Sequence, residues 1–287
     1  MTITAVTLVV PKLDQSLKVY CELGYPLLER GHLEASDAAV QRDSRLGACA
    51  FARLSLSAEL GQVLELVEYP SCAPKAPFEA FGWAAIELLV LDLDEAYRKV
   101  QSLGLSILGK PKSLSFTDNI RAMQVLGPAG ELIYFTEQRA PVAGWPLPQA
   151  RTQYDQCFVV ILCSHRIEVS NRFYADLFQR PEPAVIKSRV VGLSMQANQP
   201  EDTLHSISAM SLRSGHWLEF DQGVCTAIHR DSDIVAGIFS IGITVDGSVG
   251  MPDGLGVPIG AGKDTGCFLV TGPSGERINW YQEQGVE

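Results

Sequence analysis

GPAGELIYFTEQ, residues 127–138, returns near the C-terminus as GPSGERINWYQEQ, residues 272–284. A Gly-Pro-small-Gly-Glu turn feeding an apolar strand is a hairpin signal. Two copies divide the chain into related halves, and self-similarity of this kind marks a repeat architecture.

Each half divides again. Apolar opening strands lie at AVTLVV (5–10), AAIELLVLD (84–92), QCFVVIL (156–162) and FSIGITVD (239–246). Closing strands lie at GQVLELVEY (61–69), ELIYFTEQ (131–138), GHWLEFDQ (215–222) and ERINWYQEQ (276–284). Three opening strands run into helical patterns: LDQSLKVYCELGY (13–25), LDEAYRKVQSLGL (93–105) and EVSNRFYADLFQ (168–179). The fourth unit has GSVGMPDGLGVPIGAGKDTG (247–266) instead, which is too rich in glycine and proline for a helix. The pattern is strand, helix, then several strands, four times.

The pieces VTLVVPKLDQSLKVYCELGY, VLDLDEAYRKVQSLGL and the two GPxGE turns resemble the vicinal oxygen chelate superfamily, which includes glyoxalase I, bleomycin-resistance proteins and extradiol dioxygenases. The four-unit layout is most similar to a two-domain extradiol dioxygenase. The resemblance implies an α/β (α+β) fold of four βαβββ units forming two half-open curved sheets with helices outside. It implies an N-terminal pair over 1–139, mainly structural, and a C-terminal pair over 151–287 that forms a ligand cup. The proline-rich run APVAGWPLPQ makes 140–150 the linker.

The net charge of −10 argues against nucleic acid and anionic membrane as partners. No apolar run approaches the roughly 18 residues of a spanning helix, and MTITAVTLVV lacks a basic leader. Seven cysteines without C-x-x-C spacing fit reduced thiols in a cytoplasmic protein. A monomer and a homo-oligomer both stay open.

The resemblance also implies metal-ligand positions on first and last strands, filled in extradiol dioxygenases by two histidines and a glutamate holding Fe(II) or Mn(II). Counting from the motifs places them here at Ala5, Glu65, Ala85 and Tyr134, and at Gln156, Glu219, Ser240 and Asn279. None is histidine, and one carboxylate with amides and hydroxyls is a poor transition-metal site. The expectation is therefore no metal and no cofactor. Strand alternation puts Trp217 and Asp221 beside Glu219, Thr244 beside Ser240, and Tyr281 beside Asn279. His205 and His229 are further ligand-binding candidates.

Three readings follow. A small organic molecule, aromatic or oxygenated, binds in the C-terminal cup and Glu219 transfers protons in metal-independent isomerase or lyase chemistry. Alternatively the protein sequesters its ligand as bleomycin-resistance proteins do, with Trp217, Trp280, Tyr281 and Phe239 as stacking surface. The third reading is a dioxygenase-like metalloenzyme with unusual ligands.

Overall fold

A computed structural model describes residues 1–72, 75–114, 116–225, 234–247, 249–259 and 266–283. The first unit holds β1 (Thr2–Val10), α1 (Leu13–Leu23), β2 (Leu27–His32), α2 (Ala38–Arg42), β3 (Ala50–Ser57) and β4 (Gln62–Glu68). The second holds β5 (Gly82–Val90), α3 (Leu93–Ser102), β6 (Ile107–Leu114), β7 (Thr117–Leu126) and β8 (Leu132–Gln138). The third holds β9 (Tyr154–Ser164), α4 (Ile167–Phe178), β10 (Ile186–Arg189), α5 (Val191–Gln196), β11 (Leu204–Ser211) and β12 (Trp217–Gln222). The fourth holds β13 (Gly237–Val245), β14 (Gly256–Pro258), β15 (Cys267–Thr271) and β16 (Arg277–Gln282), with no helix among its described residues.

The helices follow their apolar stripes. Leu13, Leu17, Tyr20 and Leu23 bury one face of α1, and Gly24 at φ 108° ends it. Asp92 caps α3 by accepting from the Glu95 N–H at 2.9 Å. Two short helices lie outside the three helical patterns of the sequence. The segment 184–196 turns into α5 after β10, where Val190 and Leu193 pack onto the concave side of a sheet. The polar stretch 33–49 forms α2 and a 3-10 turn, and Ala39 and Leu46 anchor it in a small apolar cluster.

The sixteen strands form two eight-stranded sheets, β14-β15-β16-β13-β1-β4-β3-β2 and β10-β11-β12-β9-β5-β8-β7-β6. In every unit the first strand runs parallel to the last. At the centres β1 pairs antiparallel with β13, and β5 with β9. The sheets thus join unit 1 to unit 4 and unit 2 to unit 3, which corrects the expected pairs of 1 with 2 and 3 with 4. All four opening strands present a similar apolar edge, so the repeat defines the units without dictating which edges meet.

Long-range contacts select the observed partners. The convex faces of both sheets and the helices α1, α3 and α4 share one core, containing Leu8, Leu66, Leu88, Phe135, Val160, Phe220, Ile241 and Trp280. Where the sheets approach, the fully buried Gln62 substitutes for a strand. Its amide donates to the Ile3 and Cys157 carbonyls at 2.8 and 2.7 Å and accepts from the Cys157 N–H at 2.6 Å. His216 is the second bridge: Nδ1 accepts from the Ile3 N–H at 3.0 Å, and Nε2 lies 2.7 Å from Gln156 Oε1. Burial holds this imidazole down to about 4. It is therefore neutral, and the acceptor role of Nδ1 assigns the proton to Nε2.

The two GPxGE turns are built alike. Glu131 Oε2 accepts from the Ala129 N–H at 2.8 Å, and Glu276 Oε2 accepts from Ser274 N–H at 2.8 Å. The other oxygen takes a buried phenol: Tyr20 donates to Glu131 at 2.5 Å and Tyr174 to Glu276 at 2.8 Å. The first glycine is required because a Cβ on Gly127 or Gly272 would fall 2.1 or 1.9 Å from the glutamate oxygen. Gly130 and Gly275, at φ 84° and 79°, make the reversal. Gly272→Ala should therefore lower the urea midpoint sharply, by an amount equivalent to about 1–3 kcal/mol for the displaced hydrogen bonds. Gly250→Ala should be close to neutral, since a Cβ there meets open space.

Candidate functional site

Strand register divides the expected cup. In the sheet of units 1 and 4, Ala5 opposes Gly242, Thr7 opposes both Ser240 and Glu65, and Gly242 opposes Asn279. The concave face therefore collects Ala5, Thr7, Glu65, Ser240, Thr244, Asn279 and Tyr281. In the sheet of units 2 and 3, Ala85 opposes Leu132 and Ile161, Glu87 opposes Tyr134 and Val159, and β12 brings Trp217, Glu219 and Asp221 beside Val159, Ile161 and Cys163. Ser240, Thr244, Asn279 and Tyr281 thus do not share a cup with Glu219, Trp217 and Asp221. Gln156 sits at the junction between the sheets, where its Oε1 lies 2.7 Å from His216 Nε2. His205 shares the concave face of Ile207 and is tied to Ser194 of α5 at 2.9 Å. His229 lies outside the described residues. Trp280 points the opposite way, into the shared core, stacked on Phe178 with centroids 5.6 Å apart.

In the first cup the carboxylate is satisfied, and among the described residues of its concave face only Asn279 Oδ1 is buried without a partner. Glu65 accepts from Arg53 Nε at 2.9 Å and from Thr7 Oγ1 at 3.3 Å. Arg53 also reaches Glu29 and Asp37, at 2.8 and 3.0 Å. Burial raises the Glu65 carboxyl, and the guanidinium opposes that shift. Asn279 donates to Ser240 at 3.3 Å, Thr244 to Thr4 at 3.1 Å, and Arg277 stacks on Phe239. One end of the cup is filled by Leu33, Ala39 and Leu46 packed against Val9, Val67 and Phe239.

The second cup is not satisfied. Glu87, Glu219 and Asp221 are acids on one concave surface; Asp221 is fully buried and the two glutamates are part-buried. Burial pushes Glu87 up to about 7; Thr136 donates to it, which opposes the shift, and the Glu219 charge adds to it. Burial drives Glu219 well up, and the neighbouring Asp221 drives it further. Asp221 rises to about 7, with a hydrogen bond from Glu219 opposing the rise. No N–H or hydroxyl of the described residues donates to either oxygen of Asp221. Two adjacent carboxyls in such a setting cannot both ionise cheaply, so each favours the protonated form of the other. The Trp217 Nε1–H and Gln124 Oε1 are also buried without a protein partner. Burial raises the Tyr134 phenol, and the three surrounding acids add to the shift.

The rest of the second cup is apolar, with Ala85, Leu89, Leu132, Val159 and Ile161 on strands and Phe78, Phe81 and Leu193 packed against them. The 140–150 run contributes a wall that sequence reading missed. Trp145 lies 5.9 Å from Trp217 and stacks on the half-exposed Phe116 at 5.2 Å, while Leu147 and Ala150 pack on the cup's apolar cluster. The prolines that mark a linker by composition also brace it: Pro146 and Pro148 sit against Gly215, where a Cβ would meet the Pro146 carbonyl at 2.6 Å.

Among the described residues, neither cup supplies the donors of a two-histidine, one-carboxylate centre. Among the described residues no group of three or more His, Cys, Asp and Glu side chains converges for an ion. In the first cup the Arg53 charge already occupies Glu65; in the second the carboxyls favour protons and have no imidazole beside them.

Two half-open sheets, each made from two βαβββ units joined through their first strands, define this class of fold. Residues 2–135, just under half of the chain, match the Glyoxalase/Bleomycin resistance protein/Dioxygenase superfamily. Glyoxalase I from Zea mays has the same fold, with 14% identity and a TM-score of 0.64 over 98% of this chain and 92% of that one. A candidate dioxygenase from Bacillus subtilis is similar at 8% identity, TM-score 0.62, over 99% and 86% of the two chains. No curated protein matches the sequence significantly. No helix of the described residues is long and apolar enough to cross a membrane.

The buried acids give stability a definite pH dependence. Glu87, Glu131 and Asp221 each sit at about 7 in the fold, above the ordinary carboxyl value of about 4. The native state therefore binds more protons than the unfolded chain across that interval, and stability falls as pH rises through it. The melting temperature should be higher near pH 5 than near pH 8, and Glu87→Gln should flatten the slope measured by calorimetry across this range.

Proposed function

We propose that the protein binds a small organic molecule bearing hydroxyl or carbonyl oxygens in the cup of units 2 and 3, and that Glu219 with Asp221 transfers protons there without a metal. The observation that carries this reading is the buried Asp221, whose oxygens have no protein donor, next to Glu219 and the unpartnered Trp217 indole N–H, with both carboxyls pushed toward the protonated form. Leaving such groups buried and unmatched costs about 1–3 kcal/mol each, which a ligand with complementary donors and acceptors recovers. A carboxyl lifted toward neutrality is suited to general acid–base work, and isomerase or lyase chemistry requires no more than that. Burial of the apolar walls around Ala85, Leu132 and Ile161 would supply affinity for the carbon skeleton.

A second reading, retention without turnover, is favoured by the row Phe116, Trp145 and Trp217, which offers a stacking surface continuous with the cup. Conversion of the bound compound separates the two readings.

The metal site inherited by the family is degenerate on this reading. Protein stripped with chelator and titrated with Fe(II), Mn(II), Zn(II) or Ni(II) should show no one-equivalent binding by calorimetry. A site that fills tightly and resists chelator would contradict the reading.

Glu219→Gln is nearly isosteric, and its amide can still donate to Asp221, so the fold should survive. The amide cannot exchange a proton with substrate. With a ligand identified by screening aromatic and oxygenated compounds, the variant should bind at least about tenfold more weakly, as expected for loss of one charge-assisted contact, or lose turnover. Glu65→Gln, in the satisfied cup, should do neither. Unchanged binding and turnover in Glu219→Gln would place the site elsewhere.

A further inference from the structure

One cluster in the second cup is not used by the proposed chemistry. Cys163, at the end of β9, and Cys225, three residues beyond β12, bring their Sγ atoms to 3.8 Å. The chain leaving β12 crosses directly over Cys163: a Cβ on Gly223 would lie 2.7 Å from its sulfur. Cys163 is fully buried and Cys225 half-buried, so only the second is open to a solute. Lys75, from the connection between units 1 and 2, is enclosed nearby and interacts electrostatically with both sulfurs. Asp221 is the register neighbour of Cys163, and Glu79 is the remaining charge near Lys75.

We propose that Cys163 and Cys225 form a redox-active dithiol that closes to an intramolecular disulfide when a hydroperoxide oxidises it. The sulfur separation is van der Waals contact, which side-chain rotation converts to a bond of about 2.05 Å. The two thiols have unequal roles. Either sulfur can donate the S–H of this contact; when Cys163 donates, that bond, with the Lys75 charge, favours the Cys225 thiolate, and the same bond and burial disfavour the Cys163 thiolate. Cys225 is thus the attacking thiolate. Its sulfur takes the distal peroxide oxygen, the O–O bond breaks, and the leaving oxygen departs as water (from hydrogen peroxide) or an alcohol, leaving Cys225 sulfenic acid. The Cys163 sulfur then attacks the Cys225 sulfur, its proton leaves with the sulfenic oxygen as a second water, and the S–S bond forms. Two thiols are oxidised and one peroxide is reduced. The other five cysteines differ in setting: Cys72 and Cys157 are buried, Cys49 and Cys267 are partly exposed, and Cys21 is exposed on α1.

The test uses the full, reduced chain and hydrogen peroxide near one equivalent, followed by iodoacetamide under denaturing conditions and peptide mapping. The expected product is a monomer that has lost two alkylatable thiols and about 2 Da, carries a Cys163–Cys225 cross-linked peptide, and returns to the starting mass with dithiothreitol. Cys225→Ser and Cys163→Ala should each abolish the cross-link while leaving the thermal melt near that of the reduced parent. Lys75→Met should slow its formation roughly threefold or more by removing the charge that favours the thiolate. A Cys225 that is over-oxidised while Cys163 remains alkylatable would overturn the proposal, as would a cross-link through Cys21 or no oxidation of Cys225. The readout is the thiol pair alone, so it stands or falls separately from ligand binding in the cup.

Discussion

The hydrogen bond from a helix tyrosine to the glutamate of a GPxGE turn is the constraint from which the arrangement of units follows. Tyr20 belongs to unit 1 and Glu131 to unit 2; Tyr174 belongs to unit 3 and Glu276 to unit 4. Each turn therefore fastens its own unit to the helix of the preceding unit, inside a region that excludes water. A carboxyl in that position needs its donors, since an unmatched buried acid is among the most expensive groups in a fold. The glycine that leaves space for the carboxyl, the backbone N–H that meets one oxygen and the phenol that meets the other form one unit of specification. Its appearance twice is the repeat that opens the sequence.

With units 1 and 2, and 3 and 4, joined through the helical core, their sheet edges remain free to pair crosswise. Every unit then touches one partner through its helix side and another through its first strand. The result separates side chains that lie close in sequence number. Glu219 and Ser240 belong to adjacent units yet face different cups. Gln62 and His216 hold the two sheets at a junction where Ile3 and Cys157 leave backbone groups to satisfy, and each does so with both of its polar ends. This accounts for a histidine three places before a metal-equivalent strand residue without assigning it to chemistry.

Much of the fold was legible because it is local. The alternation of VTLVV, the stripe Leu13, Leu17, Tyr20 and the reversals at Gly130 and Gly275 depend on near neighbours alone. The position of Glu219 on a concave face was also legible, because period-two alternation fixes it once LEF is placed in a strand. What was hidden depends on which edges pair. Gln156 reads as a cup residue until His216 from another strand claims its amide, and Trp280 reads as a stacking surface until the register turns it toward Phe178. The aromatic wall at Trp145 was hidden for a different reason. Its prolines mark a linker by composition, whereas the contacts that make it a wall come from Trp217 and Gly215, on the far side of the second cup.

The two cups show how one scaffold supports opposite electrostatic solutions. In the first, a guanidinium meets the enclosed glutamate, three acids share that cation, and nothing is left for a ligand to complete except the free Asn279 Oδ1. In the second, no guanidinium or ammonium among the described residues pairs with Glu219 or Asp221, so the charge is relieved by holding protons. A protonated acid next to an acceptor carboxylate can lend its proton and take it back with little movement of heavy atoms. A guanidinium-locked carboxylate cannot, since its lone pairs are occupied and its charge is stabilised. The capacity for proton transfer therefore lies where the cation is missing, which is why the cup of units 2 and 3, rather than its better-satisfied counterpart, is the one equipped to act on a bound molecule.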